Sequence, residues 1–194
     1  MSLNNLPGEK SPGPTPADVP IEALPTVELT TAQMVRAEEI AQSRNDSYAS
    51  INGGRVCGNQ SSTDAHLTGV VGELAYALHY DESIDTEIYE YGDGGYDFSP
   101  GSLKIDTKTT ATYINRPSLI VPVEPSPRAD LYFFLHRIEE RKVRIIGFAT
   151  RATVVDQTPI RKPGDDLNFV VPQSDLRLPP DVYNSLEEVG NYRQ

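Results

Sequence analysis

The sequence has no tryptophan, one cysteine, two methionines and three histidines in 194 residues. A lone Cys57 cannot form an internal disulfide, and His66, His79 and His136 are scattered without the spacing of zinc ligands. No apolar run approaches the ~20 residues that a membrane-spanning helix requires. No signal-peptide pattern opens the sequence, so an intracellular, cytoplasmic location and no membrane partner are the expectations. Lysine is scarce as well, with 5 against 12 arginines, while 28 acidic residues set the net charge at −11. Such a lysine-poor, strongly acidic surface resembles that of proteins from salt-loving cells, and a halophilic or viral source is expected.

A net charge of −11 argues at first against a nucleic-acid partner, because affinity for a polyanion rests on neutralising phosphates. The distribution reverses that argument. Residues 104–162 hold 11 of the 17 basic residues and 6 of the 28 acidic ones, a local balance of +5, while the rest of the chain carries −16. Lys104, Arg116, Arg128, Arg137 and Arg144 therefore fall in one segment, which suits a channel for a polyanion in an otherwise acidic body. The alternative is an ordinary charged surface.

Residues 1–28 contain six of the sixteen prolines and few large apolar groups, which predicts a disordered tail. Residues 29–194 then form a single domain. Thr30-Thr31-Ala32-Gln33 reads as a capping box opening a helix to about Asp46, with Met34, Ala37, Ile40 and Ala41 facing inward. The glycine-rich stretch from Asn52 to Gly58 lacks the Lys-Ser/Thr of a nucleotide loop, although its Arg55 could reach a phosphate. A second helix is expected from Thr63 to Tyr80, with Leu67, Val70, Val71, Leu74, Ala75 and Leu78 in one apolar stripe. Glu73 falls about 130° from the centre of that stripe at 3.6 residues per turn. It is either solvated or part of a site, and the flanking Gly69 and Gly72 would let another element approach closely. Past Val155, five prolines and Gly164 predict loops, ending in a short helix from Pro180 to Val189.

The chemistry concentrates in the segment from Tyr96 to Lys108. Ser99-Pro100-Gly101-Ser102 is a strong turn signal. Closing a hairpin there sets Asp97 opposite Lys104 or, with a longer loop, opposite Asp106. Side chains two apart in a strand leave the same face, so Lys104, Asp106 and Lys108 share one. Carboxylates converging beside one lysine suit a magnesium-dependent attack on a phosphodiester, since Mg²⁺ is a hard ion that needs only one or two carboxylates and keeps waters. Thr109 and Thr110 continue the strand toward a substrate.

A helix bearing Gly72-Glu73, then Tyr96-Asp97-Phe98, then Ile105-Asp106-Thr107-Lys108-Thr109 resembles the PD-(D/E)XK nuclease superfamily. The residue before Asp97 is tyrosine where the family's name has proline. Ala129–Leu135 and Val143–Thr150 look like the next two core strands, so the resemblance spans about 62–155, with loops and a short helix over 156–194. It implies an α/β restriction-endonuclease-like fold, a mixed central sheet of about four to five strands flanked by helices. It implies a metal site of Glu73, Asp97 and Asp106 with the Thr107 carbonyl, Mg²⁺ (or Mn²⁺) as cofactor, and Lys108 handling the attacking water. The catalytic set is then Glu73, Asp97, Asp106 and Lys108. The implied nucleic-acid contacts are Arg55, Lys104, Thr109, Thr110, Arg116, Arg128, Arg137 and Arg144. The expected function is a DNA endonuclease, with a homodimer supplying two sites for a duplex. The alternative is a catalytically silent member of the superfamily that binds nucleic acid or serves assembly.

Overall fold

The computed structural model describes residues 13–52, 62–84, 95–161 and 166–188. The glycine-rich loop with Arg55 and Cys57 lies outside the described residues. The chain is α/β, with a mixed four-stranded sheet at its centre. Its elements are β1 (Thr26–Glu28), α1 (Thr31–Asn52), α2 (Ser62–Tyr80), β2 (Ile105–Thr110), β3 (Leu119–Pro122), β4 (Leu131–Arg137), β5 (Lys142–Thr150), α3 (Arg151–Val155), β6 (Ile160–Arg161), β7 (Leu167–Val171) and α4 (Pro180–Glu188). Among the described residues no helix is long and apolar enough to cross a membrane.

The central sheet has the order β1-β5-β4-β2. Strand β4 runs antiparallel to β5 and parallel to β2. A parallel neighbour needs a crossover, and residues 111–130 supply it, carrying β3 over one face. Strand β4 is covered on both sides, which explains the unbroken apolar run Leu131-Tyr132-Phe133-Phe134-Leu135. Leu131, Phe133 and Leu135 pack under α1 and α2. Tyr132 and Phe134 pack on the opposite face, beneath β3, β7, α3 and α4.

Thr30 and Gln33 form the expected reciprocal cap on α1. The Thr30 N–H donates to Gln33 Oε1 at 2.7 Å, and the Gln33 N–H donates to Thr30 Oγ1 at 3.3 Å. Met34, Ala37, Ile40 and Ala41 are buried as the spacing predicts. The helix continues past Asp46 to Asn52. Helix α2 departs from a single stripe: every residue from Val70 to Ala77 is buried, Tyr80 is buried too, and Leu78 is 47% exposed. It lies between α1 and the sheet, so two of its sides are covered. Tyr76 stacks among Tyr80, Phe98 and Phe133, with ring centroids 4.6–5.0 Å away.

Two expectations are corrected. Residues 13–28 belong to the fold rather than to a disordered tail. Val19 and Leu24 enter the core opposite α2, and β1 pairs with β5. Proline removes donors but does not prevent a segment from docking against a sheet through its apolar groups and carbonyls. The region beyond Val155 is not only loop and helix either. Strand β7 joins β3 and β6 in a second, three-stranded sheet of order β3-β7-β6. Leu167-Asn168-Phe169-Val170-Val171 buries Phe169 and Val171 on alternate positions, a period-2 signal that the neighbouring prolines obscured.

Candidate active site

The turn forms where Pro100 and Gly101 indicate. Gly101 takes φ = +66°, open to glycine at little steric cost. Phe98 and Ile105 exchange backbone bonds of 3.0 and 2.9 Å, which sets Asp97 opposite Asp106. Of the two registers the sequence allows, the longer loop is adopted.

Asp97 bends onto the outer edge of β2. Its Oδ2 accepts the Thr107 N–H and the Thr107 hydroxyl, each at 2.6 Å. The N–H and C=O of one strand residue leave by the same edge, so the Thr107 carbonyl faces the side on which Asp97 lies. Lys108 Nζ donates to the Asp106 carboxylate at 2.7 Å, as the shared face predicts. Asp106 is 8% exposed, while about a third of the Lys108 side chain reaches solvent (34%). Burial works against the lysine's charge, but Asp106 and then Asp97 outweigh it and raise its pKa above the ordinary 10.5. Lys108 is a fixed cation at neutral pH.

Glu73 occupies a different place. It is 7% exposed, and Arg44 of α1 donates to its two oxygens at 2.6 and 2.8 Å. A buried carboxylate requires such a partner. Arg44 is the residue that sequence reasoning missed; the signal available was only that a glutamate amid buried positions of α2 needs a cation. His66 borders the same guanidinium: burial, followed by the Arg44 charge, lowers its pKa. Gly72 meets β2 directly, for a Cβ there would collide with Thr109 Oγ1 and lie 2.8 Å from Thr109 Cβ. Thr109 therefore faces α2, as do Ile105 and Thr107 by alternation, whereas Asp106 and Lys108 leave the opposite face. Glu73 and the Asp106–Lys108 pair are thus on opposite sides of an edge strand.

The donor set at that edge consists of oxygens from Asp97, Asp106 and the Thr107 carbonyl, which suits a hard cation that keeps much of its water. Among the described residues no group of three or more His, Cys, Asp or Glu side chains is placed to hold a metal ion. Among the described residues this edge offers two carboxylates, while Glu73 is held by Arg44 on the other side of the strand.

The expected nucleic-acid contacts divide. Lys104 sits 5.1 Å from the centre of the Tyr96 ring, and the Arg128 side chain passes 3.5–3.9 Å from where a Cβ on Gly95 would be. Both are exposed, and the residues they lie against, Tyr96 and Gly95, come just before Asp97 in the chain. Thr110 continues the face of Asp106 and Lys108. Thr109 is turned inward, its Oγ1 buried and unpartnered. Arg116 is taken up by the Pro16 and Val19 carbonyls at 2.9 and 3.3 Å, fastening the N-terminal segment. Arg137 donates twice to the Glu140 carbonyl and closes the β4–β5 hairpin. Carbonyls capture guanidinium groups that composition alone assigns to a channel. Arg144 is half-buried opposite His136.

Comparison of the chain with protein-family models, with curated proteins and with solved structures finds no match to any of them.

Proposed function

We propose that the chain is a magnesium-dependent nuclease of the PD-(D/E)XK kind, with a restriction-endonuclease-like core and DNA as the favoured substrate. The observation that carries this reading is the convergence of Asp97, Asp106 and Lys108 at the outer edge of β2. Asp97, Asp106 and the Thr107 carbonyl would hold the ion, whose chemistry there is Lewis-acid activation of water and of the phosphodiester. Lys108, kept protonated by the two aspartates, neutralises charge developing on the phosphoryl oxygens and orients the attacking water through its N–H groups. Thr107 fixes Asp97 through two hydrogen bonds, so that carboxylate needs no reorganisation when substrate arrives. Lys104 and Arg128 flank this edge with positive charge for the strand's phosphates.

The second reading is a catalytically silent nucleic-acid-binding or assembly module. It is favoured by the commitment of Glu73 to Arg44, which leaves two carboxylates at the edge among the described residues. Cleavage of supercoiled plasmid and labelled single strands decides between them, in Mg²⁺, Mn²⁺ or EDTA and with salt varied to molar levels. Metal-dependent cutting that disappears in Asp106→Ala and falls by at least ~100-fold in Lys108→Ala is the expected result. A folded wild type that cuts nothing under any condition supports the silent module, and full activity in Lys108→Ala refutes the role given to that lysine.

A further inference from the structure

The end of the central sheet nearest Asp106 carries an exposed cation, Arg151, that the site as described does not use. Leu131 pairs with Ile105 of β2 on one side and with Thr150 of β5 on the other. One residue further, Lys104, Asp130 and Arg151 therefore form a row across the ends of the three strands. Backbone bonds hold that row: the Asp130 N–H donates to the Lys104 carbonyl at 2.8 Å, and the Arg151 N–H donates to the Asp130 carbonyl at 3.0 Å. The Asp130 carboxylate accepts the Lys104 N–H at 3.0 Å and lies 3.7 Å from the Arg151 guanidinium. At that distance the two charges pair without a hydrogen bond, so the guanidinium keeps its N–H groups open to phosphate oxygens. Cross-strand neighbours share a face, as do residues two apart, so Arg151 stands on the face of Asp106 and Lys108. With strands ~4.8 Å apart and ~3.3 Å per residue, its Cα is about 12 Å from that of Asp106. Arg128 belongs to the same end: the Ala129 N–H donates to the Tyr132 hydroxyl at 3.2 Å and fixes the backbone beside it. Lys104, Arg128 and Arg151 are exposed cations with the Asp130 carboxylate between them, in a chain whose net charge is −11. Such a row complements a polyanion. Its length suits a strand better than a single ion, since about four nucleotides at ~3.4 Å each cover 12 Å.

We propose that Arg151 is a phosphate contact of the substrate strand, which leaves the edge of β2 past Lys104 and Arg128 and crosses the end of the sheet to the start of α3. The assignment rests on the reading of the chain as a nuclease. The guanidinium donates to phosphate oxygens, so the contact carries no base preference.

The test uses a fluorescent single-stranded DNA in EDTA, so that binding is read without cutting. Arg151→Gln is compared with Arg141→Gln, which removes the same charge from an exposed arginine at the other end of β5, about 30 Å away. Arg151→Gln is expected to weaken binding about fivefold, alike for unrelated sequences, and to reduce the salt slope by ~0.7, the loss of one phosphate contact on a single strand. Arg151→Lys should keep the wild-type slope, and Arg141→Gln should keep both affinity and slope. Equal losses in Arg151→Gln and Arg141→Gln would mean that net charge alone acts, and they overturn the proposal. So does an unchanged Arg151→Gln, or a wild type that binds no DNA at low salt. Inorganic phosphate that displaces the DNA at equal phosphate concentration overturns the strand assignment. A protein that never cuts but shows the Arg151 slope change keeps this path and loses the nuclease. One that cuts, with Arg151→Gln binding as wild type, does the reverse.

Discussion

Replacing Gly72 by alanine sets two effects of opposite sign against each other. In a helix interior the exchange should stabilise by about 1 kcal/mol, because glycine is the poorer helix former. The packing argues the other way. The added Cβ would strike Thr109 Oγ1 and come within 2.8 Å of Thr109 Cβ and 3.0 Å of Thr109 Cγ2. Rotating the threonine relieves the hydroxyl but not the Cβ, so α2 or β2 must shift. Overpacking of this kind costs about 1–3 kcal/mol, and the backbone displacement places Gly72→Ala at the upper end of that range. The net expectation is a destabilisation of about 1–2 kcal/mol, read as a lower urea midpoint at unchanged slope. Thr109→Ala removes Oγ1 and Cγ2, leaving only the Cβ contact, and takes away a buried hydroxyl that has no partner, so it should itself cost little. The double variant should recover more than the sum of the single changes allows. Gly72→Ala as stable as wild type, or more stable, would refute the close approach of α2 to β2. Since β2 carries Asp106 and Lys108, the proposed nuclease activity should fall more in the same variant than the folded fraction does.

Removing Arg44 leaves Glu73 as a buried charge without its cation, so Arg44→Ala should cost about 3–5 kcal/mol in urea unfolding. Arg44→Met with Glu73→Leu should restore most of it, and an equally unstable double variant would count against the pairing. Lys108 predicts a pH dependence. Its pKa is raised in the folded chain, so the stability it contributes is fully present below its ordinary value of 10.5 and is lost as pH rises through the folded value. The stability difference between wild type and Lys108→Met should therefore be constant from pH 7 to 9 and change only above about pH 10.5. A change already complete by pH 9 would mean that the aspartates do not hold its proton.

Local patterns in the sequence reached far into this molecule. The Thr30–Gln33 cap, the buried positions of α1 and the turn at Pro100-Gly101 all follow from spacings of a few residues, where backbone period and turn chemistry act directly. For the same reason Asp106 and Lys108 could be set side by side: they are two apart on one strand, and no tertiary contact is needed to align them. The sequence did not disclose which groups the charged side chains would meet. Glu73 was ambiguous because its partner, Arg44, lies 29 positions away on another helix. Arg116 reaches carbonyls about 100 positions distant, and a carbonyl belongs to every residue, so nothing in the side-chain pattern marks it as an acceptor. Residues 13–28 and the short strand β7 were misjudged for different reasons. The first lacks local propensity and is ordered by an apolar face that the rest of the chain assembles, whereas the strand pattern of β7 was obscured by its neighbouring prolines. Period and turn chemistry thus determined the elements and the Asp106–Lys108 pair. Only the tertiary structure decided which carboxylates and guanidinium groups remain at the edge of β2 and which are taken up elsewhere, because burial obliges every charge to find a partner wherever the fold provides one.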